Sequence, residues 1–326
     1  QDDRGTAAGV KQAFQALRRA KVVGVVAAPR GDLVDAYWKA ARQLKVPLFV
    51  TGVVTPDLTR NRGNVFHLGP TIAAEAVFAT DALVAPIAAR RVGIVTEDTP
   101  YGDALALAIA RNLPERIALA GIETWPAEGG DEAAAAVARA IEAFEADWVV
   151  AAVRGRSADG LVDALASDAR RQALLFTDGN RRASLVARAP ELLEGCCFVG
   201  GPDPELVGRV GEAAVLALDG RGAPHDVAAV RAYEGARRIL AALDGGATKG
   251  RKLIAALEAP DPLAGAMGTL TLLAHHGIRL FPFRLWQLNK GVLDSWPEGF
   301  LPTEDCGPPL GFGRPPTASV NERRGK

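Results

Sequence analysis

The chain is poor in the residues that metal, redox and disulfide chemistry need. It has three cysteines, four histidines and one methionine in 326 residues. Cys196 and Cys197 are adjacent and Cys306 stands far away, so no Cys-x-x-Cys or Cys/His spacing suggests a zinc site. The Cys196-Cys197 pair lies in an apolar run. It reads as two small apolar residues on a buried strand, where a thiol with no base beside it is inert. A bridge from either to Cys306 stays open in an oxidising compartment. His275-His276 is the only histidine pair. Neighbours on a strand point to opposite sides and chelate poorly. Gly-x-Ser-x-Gly, a Walker A loop, a dinucleotide fingerprint and His-Glu-x-x-His are all missing, which argues against the common hydrolase, nucleotide and zinc-protease chemistries. Neither charge sign is in excess: Lys+Arg and Asp+Glu both number 38. That speaks against a nucleic-acid partner, which asks for a basic face. No apolar run has the length to span a bilayer. The chain opens on Gln1 without an export signal, and this is silent about export. No internal repeat of short period stands out.

What is present is an alternation of short apolar runs and helical patterns, organised around RRVGIVTEDTPYGDALALAIARNL at 90–113. Residues 91–96 are apolar and β-branched, as suits a buried strand. Glu97-Asp98-Thr99-Pro100 is turn chemistry, with Thr99 or Asp98 as a helix cap and Pro100 at a first helical position. Leu105, Ala108, Ile109 and Leu113 then recur at helical spacing, with Asp103 in the first turn. The unit is strand, loop, helix, with Tyr101 at the mouth of the loop.

The same grammar predicts helices over 6–20, from an Asp32 cap to 44, and over 71–89, 131–145, 157–170 and about 183–189. Strands are expected over 22–27, 46–50, 64–68, 121–125, 148–153, 173–177 and 196–199. From residue 204 two long helical stretches run to 218 and over 225–243, with another helix over 249–257. Residues 268–273 and 279–288 read as antiparallel strands joined at His275-His276-Gly277, and Asn289-Lys290-Gly291 as a hairpin turn. Beyond Trp296 the chain is rich in proline and glycine and reads as irregular. Such alternation predicts an α/β fold with doubly wound parallel sheets covered on both faces. Breaks at Gly69-Pro70 and Gly200-Gly201-Pro202 bracket one complete run of units. They divide the chain into lobe I (1–70 and 200–284), lobe II (71–199 and 285–300) and a tail (301–326).

In order and spacing the pieces resemble the type I periplasmic solute-binding proteins, and in particular the Leu/Ile/Val-binding branch of ABC transporter components. The resemblance is carried by Asp2-Asp3-Arg4 before a helix, VVGVVAAP at 22–29, VPLFVTGVVTPDLT at 46–59 and VFHLGPT at 65–71. It continues through RVGIVTEDTPYGDALA at 91–106, DWVVAAV at 147–153, ALLFTDGN at 173–180 and GTLTLLAHHGIRLFPFRLWQLNKG at 268–291. The tail, EGFLPTED with LGFGRP at 298–315, resembles a subgroup associated with pyrroloquinoline-quinone-dependent alcohol oxidation. The resemblance implies two doubly wound parallel-sheet lobes, with the first lobe lacking its first strand, because family members begin with a further strand and helix. It implies a periplasmic monomer that binds a small-molecule ligand between the lobes by hinge closure near Pro70, Gly201 and Arg284. Its partner would be the membrane permease of an ABC importer; no enzymatic step and no cofactor are implied. The alternative on the same fold is a ligand-sensing module without transport. An α/β enzyme would require turnover lost with a cleft residue.

The resemblance also places the ligand at strand-end loops. In the first lobe these carry Arg30, Asp32, Thr51 and Thr55. The first of them is hydroxyl-rich in amino-acid binders, where it grips the ligand carboxylate; here it reads Arg30-Gly31-Asp32-Leu33. Arg30 is suited to a bidentate anion contact, and the alternative is a surface arginine beside an Asp32 helix cap. In the second lobe Tyr101 matches a cleft aromatic, Arg154 stands where an aromatic or polar contact is frequent, and Asp178 matches an acid that takes a ligand ammonium. Local packing for Tyr101 and solvated loop charges for the other two are the plainer alternatives. Together the changes imply a ligand other than a standard branched-chain amino acid: a small organic anion, a polar metabolite or a modified amino acid.

Overall fold

The computed structural model describes residues 1–29, 33–52, 62–126, 130–167, 172–203, 209–221, 227–258, 263–270, 272–273, 277–278 and 282–296. Helix α1 (Ala7–Arg19) leads to β1 (Val25–Ala27), α2 (Val34–Leu44), β2 (Leu48–Val50) and β3 (Val65–His67). These three strands form one parallel sheet in the order β1-β2-β3. Its side chains divide by the two-residue period of a strand. Leu48, Val50 and Val65 pack with Phe14, Val34 and Ala41 of the first two helices. Phe49 and Phe66 stack at 5.0 Å on the opposite face. There they meet helices from much later in the chain: α9 (Arg209–Asp219), α10 (Val227–Asp244) and α11 (Gly250–Glu258).

Between these halves of one layer the chain builds a second sheet. Helix α3 (Ile72–Val84) precedes β4 (Arg91–Glu97), α4 (Pro100–Asn112), β5 (Ala118–Trp125), α5 (Asp131–Ala143), β6 (Trp148–Ala152) and α6 (Gly155–Ser167). Then come β7 (Leu174–Phe176), α7 (Ala183–Val186), α8 (Pro190–Leu193) and β8 (Cys197–Gly200). Short strands β9 (Leu263–Gly265), β10 (Gly268–Leu270), β11 (Leu272–Leu273) and β12 (Gly277–Ile278) follow the later helices. Finally β13 (Arg284–Asn289) and β14 (Val292–Ser295) close the second sheet. Its order is β14-β13-β8-β7-β6-β4-β5, parallel from β5 to β8 and antiparallel from β8 to β14. Val150, Ala152, Leu175 and Val199 face α3 and α4. Val149, Ala151, Leu174, Phe176 and Phe198 face α5 and α6. The architecture is therefore α/β with two parallel-dominated sheets, each covered on both faces.

Local chemistry sets several boundaries. Thr6, Thr71 and Thr99 cap α1, α3 and α4 by accepting the amides of Gly9, Ala74 and Gly102 at 3.0, 3.1 and 3.1 Å. The cap of α2 is Leu33, which makes no side-chain capping bond, and Asp32 lies outside the described residues. The helix expected over 71–89 stops at Val84, because Pro86 has no N–H and the chain turns through Ala88 at φ 54. The helix expected over about 183–189 ends at Val186, and a second short helix starts at Pro190. The long hairpin expected between 268–273 and 279–288 is also different. Strand β10 folds back on β9, β11 meets β12 in a two-residue pairing, and β13 crosses to the large sheet. Pro282, with no N–H to give a ladder, lies just ahead of β13. The turn at 289–291 is as expected, with positive φ at Lys290 and Gly291 and both amides held by Glu194. Cys196 and Cys197 are buried on opposite faces of the large sheet, and Cys196 is a free thiol. Cys306, His275, His276 and the tail lie outside the described residues.

Candidate functional site

In the large sheet the chain leaves β4 toward β5 on one side and returns to β6 on the other. The carboxyl ends of β4 and β6 therefore flank a topological switch point, the place where open α/β sheets bind ligands. Glu97 ends β4, Arg154 follows β6 and Asp178 follows β7. The Glu97 carboxylate accepts the Arg154 amide at 3.0 Å and the Thr99 hydroxyl at 3.0 Å, and meets the Arg154 guanidinium at 3.5 Å. That guanidinium lies over the Tyr101 ring, 3.4 Å from its centroid. Arg154 and Tyr101 thus form one cation–π unit at the switch point.

The Tyr101 hydroxyl points inward and donates to both oxygens of Glu75, at 3.0 and 3.2 Å. Glu75 sits in the first turn of α3 with no exposed surface, and its carboxyl also accepts the Asp178 amide at 2.7 Å. Burial, and then the charge of Asp178, push this carboxyl up to about 8, against the pull of those hydrogen bonds and of Arg154. Burial thus makes Glu75 hold its proton to a higher pH than an ordinary carboxyl does. Burial and the nearby Glu75 raise the Tyr101 phenol well above its ordinary value, so it stays a donor.

Asp178 turns its side chain the other way. Arg231, on α10, donates to its two oxygens at 3.0 and 3.2 Å and to the Thr51 carbonyl at 3.3 Å. Asp178 is 1 % and Arg231 4 % exposed, so this is a buried ion pair. It joins the end of β7 in one sheet to the end of β2 in the other. The Asp178 turn is held rigid from below: Gly179 takes φ 90, a left-handed conformation that favours glycine, and Asn180 donates to the Val153 and Thr177 carbonyls at 2.6 and 3.1 Å. At the end of β3, His67 Nε2 donates to the Gly52 carbonyl at 2.6 Å. Burial lowers its pKa to about 4 and keeps it neutral. Arg181 packs 4.1 Å over the Trp286 ring and 3.7 Å from Asp203.

Of the residues singled out by sequence, Thr51, Tyr101, Arg154 and Asp178 lie in this one network. The Thr51 hydroxyl is turned to the Ala27 carbonyl at 3.3 Å, so Thr51 meets Arg231 through its backbone. Arg30, Asp32 and Thr55 lie outside the described residues. Sequence reasoning passed over Glu75, Glu97 and Arg231. A carboxylate in the first turn of the alanine-rich run IAAEAVFATDALV is the usable signal for Glu75. Arg231 had none, because α10 carries Arg237 and Arg238 as well. A separate cavity of about 630 Å³ opens between α5 and α6 over Trp125, lined by Ala134, Ala138, Gly160 and Ala164. It shares no residue with the network and holds no cluster of buried polar groups. Among the described residues no group of histidine, cysteine and acidic side chains is placed to hold a metal.

The family model for periplasmic binding proteins matches residues 1–292. No curated protein matches the chain in sequence. Among solved structures, the leucine-binding protein LivK of Thermotoga maritima is similar at TM-score 0.76 and 16% identity, over 90% of this chain and 85% of that one. The branched-chain amino acid transporter substrate-binding protein LivJ of Streptococcus pneumoniae, in complex with isoleucine, is similar at 0.78 and 17%, over 90% and 84%. A solute-binding protein of R. palustris in complex with benzoate is similar at 0.70 and 19%, over 90% and 82%. At these identities the structural likeness carries the fold alone. With the family model spanning most of the sequence, the chain belongs to the periplasmic binding protein family and has its two-lobed type I fold.

Proposed function

We propose that the chain is the extracytoplasmic solute-binding component of an ABC importer, closing its two lobes on a small polar ligand. The family is one of solute-binding proteins rather than enzymes. The observation that supports the reading is the Arg231 bridge, which brings strand-end loops of both sheets together. Lobe I is residues 1–70 with 200–284 and lobe II is 71–199 with 285–300. The crossings near Pro70, Gly201 and Arg284 are the hinge. Arg284 pairs with Gly200, and Trp286 Nε1 donates to the Gly201 carbonyl at 3.2 Å, so two of the three crossings are tied side by side. A few such residues absorb the rotation of a hinge. The ligand is held by Tyr101, Arg154 and the Thr51–Arg231–Asp178 bridge, and by Arg30, Asp32 and Thr55. The monomeric, closed form is what the membrane permease reads, and no cofactor takes part. Known proteins of this fold hold ligands as different as isoleucine and benzoate, so the fold leaves the ligand's chemistry open.

The test is a thermal melt of the purified chain against amino acids, organic acids, alcohols and quinone cofactors. A ligand bound only by the native state stabilises it by about 2.7 kcal/mol at a hundredfold excess over its dissociation constant. A cooperative melt raised by one chemical class is the expected result. A cooperative melt that no class shifts contradicts the reading.

A further inference from the structure

Among the described residues, the acids at the strand ends are already taken by the chain's own donors. Asp178 meets the Arg231 guanidinium with both oxygens. Glu97 accepts from the Arg154 amide, the Arg154 guanidinium and Thr99. Glu75 accepts the Asp178 amide and the Tyr101 hydroxyl, behind the Tyr101 ring and away from solvent. Among the described residues a ligand ammonium has only these carboxylates to meet, and to reach Asp178 it would have to displace a buried guanidinium. Arg154 is in the opposite position. Its side chain is a third exposed, and of its five guanidinium N–H groups only those on Nη2 face Glu97, at a long 3.5 Å. The Tyr101 ring lies 3.4 Å beneath the centre of that guanidinium. A planar guanidinium held against a ring and open at its edge is suited to a carboxylate.

On the reading that this cleft binds a small solute, we propose that it selects a small organic acid without an ammonium group. Arg154 is the cation that receives the carboxylate. Arg231 is the specificity-determining residue, because it fills Asp178 from within as a ligand ammonium would from without.

The test is titration calorimetry at neutral pH with pairs that differ only in the α-ammonium: 4-methylpentanoate against leucine, 3-phenylpropanoate against phenylalanine, glutarate against glutamate. At least one acid should bind, and about tenfold or more tighter than its amino partner, since the amino acid would bring an ammonium that no open acid among the described residues meets. Arg154→Gln, at a partly exposed position, should keep the fold and weaken that acid by about tenfold or more, as loss of a charge-assisted pair requires. Arg231→Gln, if folded, should narrow the preference by releasing Asp178. An amino acid bound as tightly as its deaminated partner, a neutral solute bound in preference to every acid, or an Arg154→Gln variant that binds like the parent overturns the proposal and leaves solute binding standing. A protein that binds nothing from any class overturns solute binding itself, and the proposal with it.

Discussion

Raising the pH from about 6.5 to 8 should destabilise this protein, and Glu75 should be the cause. Its carboxyl has no exposed surface and is pushed up to about 8, from an ordinary value of 4.5. Between those values the native chain holds a proton that the unfolded chain has released, so stability falls as pH rises, by about 1.4 kcal/mol per unit. His67 acts with the opposite sign. Its pKa is lowered from 6.5 to about 4 by burial, so below 6.5 the unfolded chain binds a proton that the native one refuses, and stability is lost as pH falls. From about 4.5 to 6.5 the two slopes offset each other. Above 6.5 only the Glu75 slope remains, and across about one and a half units it amounts to about 2 kcal/mol. Urea unfolding at closely spaced pH values reads this directly. Glu75→Gln keeps an oxygen for the Asp178 amide and the Tyr101 hydroxyl but cannot titrate, so its stability should be level from 6.5 to 8. A parent protein with constant or rising stability there, or a variant that falls as steeply as the parent, refutes the assignment.

Three further predictions follow from packing and charge. Gly93 lies under the Phe144 ring, where an added Cβ would come within 2.2 Å of Cδ2; Gly93→Ala should cost about 1–3 kcal/mol in urea unfolding, and an unchanged midpoint would contradict this packing. Arg231→Met leaves Asp178 buried without its cation and should cost about 3–5 kcal/mol, and adding Asp178→Asn should restore much of it. A double variant no more stable than the single one would deny the ion pair. Burial pushes the Cys196 thiol up to about 12, so peptide-resolved mass spectrometry should find it unalkylated in the native protein and alkylated in urea; native labelling at Cys196 would be the contrary result.

The parts of this fold legible in the sequence are those governed by near neighbours. Thr99 and Pro100 start α4 wherever that helix packs, and Lys290-Gly291 turns a hairpin whatever strands flank it. Past Val84 the apolar helical pattern continues in the sequence, and Pro86 ends the helix against it. The antiparallel segment misled for a deeper reason: β10 and β13 both carry strand patterns, and which partner each takes is decided by a long-range choice of sheet. The site divides in the same way. Tyr101, Arg154 and Asp178 sit just after strands, so a strand–loop–helix reading reaches them. Arg231 and Glu75 are helix residues 53 and 103 positions from Asp178. Their roles exist only once two sheets and three helices are assembled, and no local pattern encodes that meeting.

The most direct measurement of the central claim is amide hydrogen exchange with and without the ligand that raises the melting temperature. A ligand held between the sheets should slow exchange together at Thr51 and Gly52 on one side and at Tyr101, Arg154 and Asp178 on the other. Protection confined to one of these groups, or appearing in the α5–α6 cavity over Trp125 instead, would place the ligand outside the cleft and contradict the account.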